Sequence, residues 1–247
     1  MGEKNKYGLG RYIESDTRRL IRKRCGFGCV ICGIGFFDYE HFDPDFAEAK
    51  EHNPEGMTLL CMQCNQKRRR GTLSASTVKR HNEFPKALSK GFANEWLDVG
   101  VDDVEVVFAG SSFIDCETLI NVRGDAIFSV LPPEEAGSPF RLSGFFADDT
   151  GAITLKIEEN QWIAGADNWD VEWVGKTVTI RKGHGDIVLV MTTIPPNKLI
   201  VEKLNMLVNG VHLVGSKDTL KVSFDGINYS SFTTCSMRGC GTGIRIN

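Results

Sequence analysis

Two Cys-x-x-Cys pairs constrain this chain more than any other feature of its sequence. Cys29 and Cys32 form the first pair, Cys61 and Cys64 form the second, and 28 residues lie between the pairs. A Cys-x-x-Cys turn presents two thiolates on one side of the backbone, and two such turns complete a tetrahedral Zn²⁺ site. Because all four ligands are cysteines, the predicted zinc is structural and has no open position for chemistry. The alternative is four unrelated buried cysteines.

The remaining cysteines and the hydropathy bear on the compartment. No run of about 18 apolar residues is present, so we expect no membrane span and no membrane partner. The first residues contain no apolar signal core. With four of the eight cysteines assigned to metal, the pattern favours a cytoplasmic protein. We therefore expect Cys116, Cys235 and Cys240 to be free thiols and Cys25 to pack near the zinc.

Charge is distributed unevenly along the chain. Residues 1–90 contain 17 Lys and Arg against 11 Asp and Glu, whereas the rest contains 12 against 21. A basic segment joined to an acidic one indicates that the first part contacts nucleic acid and that the second has another role.

Local patterns divide the chain into two predicted domains with an α+β multidomain fold. Residues 1–95 are predicted to form a zinc-containing domain with added helices. Its first helix is expected over 15–25, with Leu20 and Ile21 on the apolar face. A short hairpin is expected directly after the first Cys-x-x-Cys turn, and a short helix ending near Gly71 after the second.

From about residue 101 the apolar residues recur with a period of two. Many short strands separated by turn signals predict an all-β sandwich or barrel-like domain over 101–247. Asn209-Gly210 is typical of a type I′ hairpin. Three tryptophans are expected to pack in the core, the alternative being an exposed aromatic surface for a partner or ligand: Trp162, Trp169 and Trp173. We expect this domain to recognise a partner, a ligand or a DNA feature, or to form a homo-oligomer.

Three stretches of the first domain resemble the HNH endonucleases, which have a ββα-metal fold. They are RKRCGFGCVICG, EHFDP and LLCMQCNQKR. The resemblance covers about residues 15–80. The Asn that follows the last cysteine makes it similar to the endonuclease VII type within the four-cysteine branch of that family.

The resemblance implies a site and a reaction. Zinc would join two strands to a helix, Glu40 and Asn65 would bind a catalytic Mg²⁺ or Mn²⁺, and His41 would be the general base. A neutral histidine can take a proton from water, and a hard cation with few protein ligands can neutralise the leaving oxygen of a phosphodiester. The expected partner is DNA, and the expected role is that of a restriction or defence effector or of a mobile-element nuclease.

The sequence departs from the family at two positions. Glu40 occupies a place where Asp is usual. The middle Asn of the family falls at Gly56, and Asn53 could replace it only with a shifted loop.

Each candidate also has a structural alternative. Glu40 and His41 could form a structural pair, and Asn65 could cap the helix that follows Cys64. His52 is expected to be solvated and is the reserve metal ligand.

Basic residues flank the predicted site on both sides. We expect them to contact the phosphate backbone, the alternative being a solvated helix face. They are Arg18, Arg19, Arg22 and Lys23 before the site, and Lys67, Arg68, Arg69 and Arg70 after it. Two rival functions stay open: a catalytically inactive zinc module that binds nucleic acid, and an assembly protein built on the β-domain.

Overall fold

The computed structural model describes residues 4–247, which are mostly β, with 46% strand and 15% helix. The chain divides into two compact units. The first comprises Met1–Glu95 and Ala164–Asp170, and the second comprises Trp96–Ile163 and Val171–Asn247. The first unit thus includes a segment of seven residues, 164–170, that the sequence pattern assigned to the β-domain.

Between residues 4 and 96, the structure has four α-helices, one 3-10 helix and three strands. The helices are α1 (Ser15–Cys25), α2 (Met62–Arg69), α3 (Ala75–Glu83), α4 (Lys86–Lys90) and the 3-10 helix Pro54–Gly56. The strands are β1 (Asp38–His41), β2 (Met57–Leu60) and β3 (Phe92–Trp96), the last of which ends at the boundary.

The remaining strands belong to the β-rich part of the chain. They are β4 (Glu105–Phe108), β5 (Ser111–Val122), β6 (Asp125–Leu131), β7 (Arg141–Ala147), β8 (Ile153–Glu158), β9 (Gln161–Gly165), β10 (Asp170–Val174), β11 (Thr177–Gly183), β12 (Asp186–Ile194), β13 (Lys198–Val208), β14 (Val211–Gly215), β15 (Thr219–Ser223), β16 (Ser230–Thr233) and β17 (Ser236–Ile246).

Strands β1 and β2 form a two-stranded antiparallel sheet in the first unit. Glu40 lies opposite Thr58, and His41 lies opposite Met57. The hairpin predicted directly after the first Cys-x-x-Cys turn is therefore wrong, because β1 pairs with a strand that follows a long loop. Every residue of β2 is buried, so this strand supplies the centre of a small core that also includes Ile21 and Val30.

Helix α1 packs through one face and uses its cations for structure. Ile21 is fully buried, whereas Leu20 is 53% exposed, so only one of the two predicted apolar contacts forms. Arg22 is 2% exposed. Its Nε and Nη2 donate to the two carboxylate oxygens of Asp170 at 2.8 Å each, and its Nη1 donates to the hydroxyl of Tyr39 at 2.7 Å. Such a two-pronged arginine–carboxylate pair fixes both partners in direction as well as distance.

Two further cations of α1 hold residues 164–170 in the first unit. The Lys23 ammonium donates to the carbonyl oxygen of Asn168 at 2.5 Å and to that of Asp167 at 3.1 Å. The Arg19 guanidinium lies 3.5 Å from the centroid of the Trp169 ring. These contacts, with the buried pair at Asp170, explain why this segment groups with the first unit.

The second unit is one large curled sheet. Its strand order runs β10-β11-β12-β13-β4-β5-β6-β7-β8-β9, with β14 to β16 continuing from β13 and β17 beside β5. Most pairs are antiparallel, and β4 with β13 and β5 with β17 are parallel. Buried phenylalanines pack in its core, among them Phe108 of β4 and Phe146 of β7, whose stacked rings are 6.3 Å apart.

Turn and tryptophan predictions for this unit have mixed outcomes. Asn209 and Gly210 have φ of 49° and 74° between β13 and β14, which confirms the predicted type I′ hairpin. Trp162 is buried in the core, as predicted, and it stacks on the half-buried Trp173 at 5.2 Å between ring centroids. Trp169 precedes β10 and is half-buried, with its ring against the Arg19 guanidinium in the first unit.

The expectation of free thiols is wrong for two cysteines. Cys116 in β5 and Cys240 in β17 lie opposite each other in the parallel pair and form a disulfide. Their side chains meet because the last strand of the chain returns beside β5, 124 residues along the sequence. Cys235 is a free thiol, as predicted.

Among residues 4–247, no helix has both the length and the apolar composition that crossing a membrane requires.

The Arg22–Asp170 pair generates a stability prediction. Replacing Asp170 by Asn leaves the Arg22 charge buried without its counter-charge, which we expect to cost about 3–5 kcal/mol in the free energy of unfolding. Urea unfolding of Asp170→Asn measures this loss. Asp167→Asn is the matched control, because Asp167 is exposed and its replacement should change stability by less than about 0.5 kcal/mol. Equal stabilities of the two variants would contradict the assigned role of the pair.

Candidate functional site

The four cysteines of the two Cys-x-x-Cys turns converge in the first unit. One sulfur from each of Cys29, Cys32, Cys61 and Cys64 lies within 4.8 Å of every other. The sulfurs of Cys32 and Cys61, which come from different turns, are 3.7 Å apart. Zinc–sulfur bonds of about 2.3 Å imply sulfur–sulfur edges of about 3.8 Å in a tetrahedron. The cluster can therefore hold a zinc ion.

Backbone hydrogen bonds give the cluster its shape. In the first turn, the Gly33 amide donates to the Cys29 carbonyl at 2.7 Å, and the Cys29 amide donates to Ile34 at 2.8 Å. The Val30 amide donates to the carbonyl of Leu59 at 3.0 Å, which joins this turn to β2. In the second turn, the amide of Cys64 donates to the sulfur of Cys61 at 3.4 Å.

The four sulfurs are so close together that the protonation state of one cysteine changes the pKa of its neighbours. Hydrogen bonding from Cys32 lowers the pKa of Cys29 to about 5. The pKa of Cys32 is raised, chiefly because it donates that hydrogen bond, and burial followed by the charge of Cys29 raises the pKa of Cys64 to about 12. A bound divalent cation stabilises all four thiolates together, so that none of the four sulfurs needs to keep a proton.

Cys25 is not one of the four clustered sulfurs, but it belongs to the same small core as Cys29, Cys61 and Cys64, in agreement with the prediction that it packs near the zinc. It is fully buried, and burial raises the pKa of its thiol. Its sulfur is 3.9 Å from the Thr58 hydroxyl. A buried thiol with a raised pKa is chemically inert and fills space.

An open cavity of about 730 Å³ lies beside the β1–β2 hairpin. Glu40, His41 and Asn65, the three residues proposed from the sequence, all line it. Residues that the sequence did not single out also contribute, namely Arg11, Phe46 and the segment 4–6. The guanidinium of Arg11 lies 3.8 Å from the centroid of the Phe46 ring.

Glu40 and Asn65 are direct neighbours across β1 and α2. The amide nitrogen of Asn65 donates to Oε1 of Glu40. Asn65 is 6% exposed, and its Oδ1 is buried without a hydrogen-bond partner among the described residues. Leaving a buried carbonyl oxygen unsatisfied costs about 1–3 kcal/mol, and a cation would satisfy it. A carboxylate beside an orphaned amide oxygen fits a hard divalent cation such as Mg²⁺ or Mn²⁺.

The alternative role of Asn65 as a helix cap is wrong. Helix α2 begins at Met62, and the residue that caps it is Cys61. Asn65 therefore lies inside the helix.

His41 does not pair with Glu40 but with His52. His41 Nε2 is 3.0 Å from His52 Nδ1, and His52 Nε2 is 3.0 Å from the carbonyl oxygen of Gly10. The prediction that His52 is solvated is therefore wrong, since both of its ring nitrogens have protein partners. Burial, followed by electrostatic interactions with His52 and Arg11, lowers the pKa of His41 to about 4. His41 is consequently neutral at neutral pH.

The structure explains why position 56 carries no asparagine. A Cβ atom on Gly56 would lie 2.0 Å from the carbonyl oxygen of Asp43. The Gly56 carbonyl accepts hydrogen bonds from the amides of Phe42 and Asp43 at 2.9 and 3.3 Å, directly after His41. Asn53 does not replace the missing side chain, because its Oδ1 caps the 3-10 helix by accepting from the Glu55 amide at 3.1 Å.

The basic residues before the predicted site and those after it differ in what their side chains contact. Arg22 is buried on Asp170, so the prediction that it contacts phosphate is wrong. For Arg18, Arg19 and Lys23 that role stays a prediction. The second group lies at the cavity, where Arg68 pairs with Asp45 at 2.5 Å and Arg69 lies 3.7 Å from Glu40. Lys67 and Arg70 are exposed on the same helix and its cap.

Comparison of the chain with protein-family models, curated proteins and solved structures found no match. The functional interpretation therefore depends on the geometry of the site.

The thiol cluster generates a metal prediction. We expect the purified protein to contain about one Zn²⁺ per chain, and Cys61→Ser to lower that content at least about tenfold and to unfold the first unit. Elemental analysis and near-ultraviolet circular dichroism measure the two effects. Cys235→Ser, which changes a free thiol of the second unit, should retain both metal and fold. A folded, zinc-free wild-type protein would contradict this assignment.

Proposed function

We propose that this chain is a metal-dependent endonuclease of the HNH type that hydrolyses phosphodiester bonds in DNA. The observation that carries the proposal is that Glu40, His41 and Asn65 line one cavity. In addition, the Oδ1 of Asn65 is buried without a hydrogen-bond partner among the described residues. The order β1, β2, α2, with one cysteine pair before β1 and the other at the start of α2, further supports a ββα-metal arrangement joined by structural zinc.

Glu40 and Asn65 would hold the catalytic Mg²⁺ or Mn²⁺. Such an ion, when bound, polarises the scissile phosphate and neutralises charge on the leaving oxygen. Arg69 lies 3.7 Å from Glu40, so a phosphate that enters the site would also meet a guanidinium. The Asn65 amide holds the Glu40 carboxylate through the hydrogen bond described above.

His41 would act as the general base. The neutral ring accepts a proton from the attacking water at Nδ1, since Nε2 is occupied by the contact with His52. General-base catalysis by a positioned histidine contributes about 10²–10⁴-fold to a rate. Bound phosphate brings negative charge into the cavity, which shifts the pKa of His41 upward and strengthens it as a base.

DNA is the substrate that the surrounding charge favours. Arg68 and Arg69 of α2 line the cavity together with Asn65, and Lys67 and Arg70 are exposed on the same helix and its cap. Contacts to phosphates position a duplex without reading its sequence and weaken steeply with salt. The group consists of Lys67, Arg68, Arg69 and Arg70.

An inactive nucleic-acid-binding module is the rival with a specific observation in its favour. That observation was the absence of asparagine at position 56. The close contact of Gly56 with Asp43 and the bonds from its carbonyl give a structural reason for glycine there that does not require a decayed site. The role of the second unit in recognition, partner binding or oligomerisation stays a prediction, as does a role in defence.

Plasmid nicking by the zinc-loaded protein tests the proposal. We expect cleavage that requires added Mg²⁺ or Mn²⁺ and that falls at least about 100-fold in His41→Ala, because the base is lost. The measurement is the initial rate of conversion of supercoiled to open-circular DNA, with the zinc content of each sample verified.

His81→Ala is the matched control, because His81 lies on α3 and does not line the cavity. It should cleave at the wild-type rate. Wild-type protein that binds DNA in a salt-dependent manner without cleaving it would support the inactive module instead. Cleavage by His41→Ala at the wild-type rate would contradict the assigned base.

A further inference from the structure

His52 and the carbonyl group of Gly10 form a hydrogen-bonded chain that ends on His41. The chain consists of two contacts of 3.0 Å, one between the two imidazoles and one between His52 and Gly10. Both histidines are half-buried, and their ring centroids are 5.2 Å apart. Glu51 and Asn53, the neighbours of His52 in the sequence, take no part in these two hydrogen bonds.

The chemistry of the partners fixes where each proton lies. A carbonyl oxygen can only accept, so His52 must carry a proton on Nε2 to bind Gly10. In a neutral imidazole the other nitrogen is then an acceptor, so Nδ1 of His52 must accept from His41. His41 therefore carries its proton on Nε2, and its Nδ1 retains the lone pair. With both rings neutral, this is the one arrangement of protons that satisfies both hydrogen bonds.

We propose that His52 is a positioning residue, anchored by Gly10, that fixes the tautomer and ring orientation of His41 so that Nδ1 is the basic atom. The inference rests on the proposed function for its catalytic meaning, although the hydrogen-bonded chain can be tested without it.

The anchor belongs to an N-terminal segment that is tied down independently. The side-chain amide of Asn5 donates to the carbonyl oxygens of Phe46 and Ala49 at 2.7 and 2.6 Å. Lys6 also lies 2.6 Å from Glu48. This segment therefore crosses the loop that follows β1 and presents the Gly10 carbonyl to His52.

Phe46 packs against the His41 ring. Its ring centroid is 5.6 Å from that of His41. The hydrogen bond fixes one edge of the imidazole, and the aromatic contact limits rotation about the side-chain torsions. Misplacing a catalytic group by about 1 Å can lower a rate about a hundredfold, which sets the expected size of the effect.

The first arm of the test is spectroscopic and uses the wild-type protein. The chain contains five histidines, so ¹⁵N-histidine labelling gives a simple nuclear magnetic resonance spectrum. At about pH 8, where ordinary histidines are neutral, we expect a scalar coupling across the hydrogen bond between His41 Nε2 and His52 Nδ1. We also expect the attached proton to be assigned to His41. Absence of the coupling, or a proton on His52 Nδ1, would overturn the proposal.

The second arm measures single-turnover cleavage by zinc-loaded variants. His52→Phe keeps an aromatic ring but removes both hydrogen bonds, and should lower the rate about a hundredfold with zinc content and Mn²⁺ affinity unchanged. His52→Gln keeps a donor and an acceptor and should recover part of that loss. His81→Phe is the control and should cleave normally. Wild-type rates in His52→Phe would overturn the positioning role.

The two arms separate this inference from the proposed function. Coupling in a wild-type protein that cleaves no DNA would reject the nuclease and leave the hydrogen-bonded chain in place. Cleavage by a wild-type protein without the coupling would reject the positioning role of His52 alone.

Discussion

The convergence of four sulfur atoms is the constraint on which the rest of the first unit depends. Cys29 and Cys61 belong to turns that are far apart in sequence, and only their mutual approach places β1 against β2 and the start of α2 beside both. A core of this size buries little apolar surface, and a structural metal is a common way for small domains to reach stability. Glu40 lies on β1, and Asn65 lies in the first turns of α2. Because the cluster positions these two elements, it also sets the distance between the two residues proposed to bind the catalytic cation.

The basic residues of α1 and α2 have different roles, and a count of charges along the sequence cannot distinguish these roles. Those on α1 stabilise the fold: Arg22 is buried on Asp170, Lys23 binds carbonyl groups of 167–168, and Arg24 donates to the Met57 carbonyl at 2.5 Å. On α2, Arg68 and Arg69 line the cavity, where Arg68 is paired with Asp45 and Arg69 lies 3.7 Å from Glu40. The difference depends on what each helix packs against, because a guanidinium is equally able to bind a carboxylate, a carbonyl group or a phosphate.

The sequence predicted those parts of the molecule that short patterns specify. Cys-x-x-Cys spacing predicted the sulfur cluster, Asn209-Gly210 predicted a hairpin, and a period of two predicted the β-rich second half. Contacts between distant segments were not predictable in this way. Nothing near His52 indicates that Gly10 will be its partner, and Cys116 meets Cys240 only because β17 returns beside β5. The isolated histidine therefore suggested a solvated side chain, and the unpaired cysteines suggested free thiols, until the topology placed their partners.

The most direct test of this account is whether Glu40 and Asn65 form a cation site when the sulfur cluster is filled. The measurement is Mn²⁺ binding to the zinc-loaded protein, followed by electron paramagnetic resonance without DNA. The account predicts one Mn²⁺ site that is weakened at least about tenfold in Glu40→Gln and Asn65→Ala and retained in His41→Ala, whose side chain is assigned to the proton and not to the metal. Equal Mn²⁺ affinity of Glu40→Gln and wild type, with zinc and fold intact in both, would contradict it.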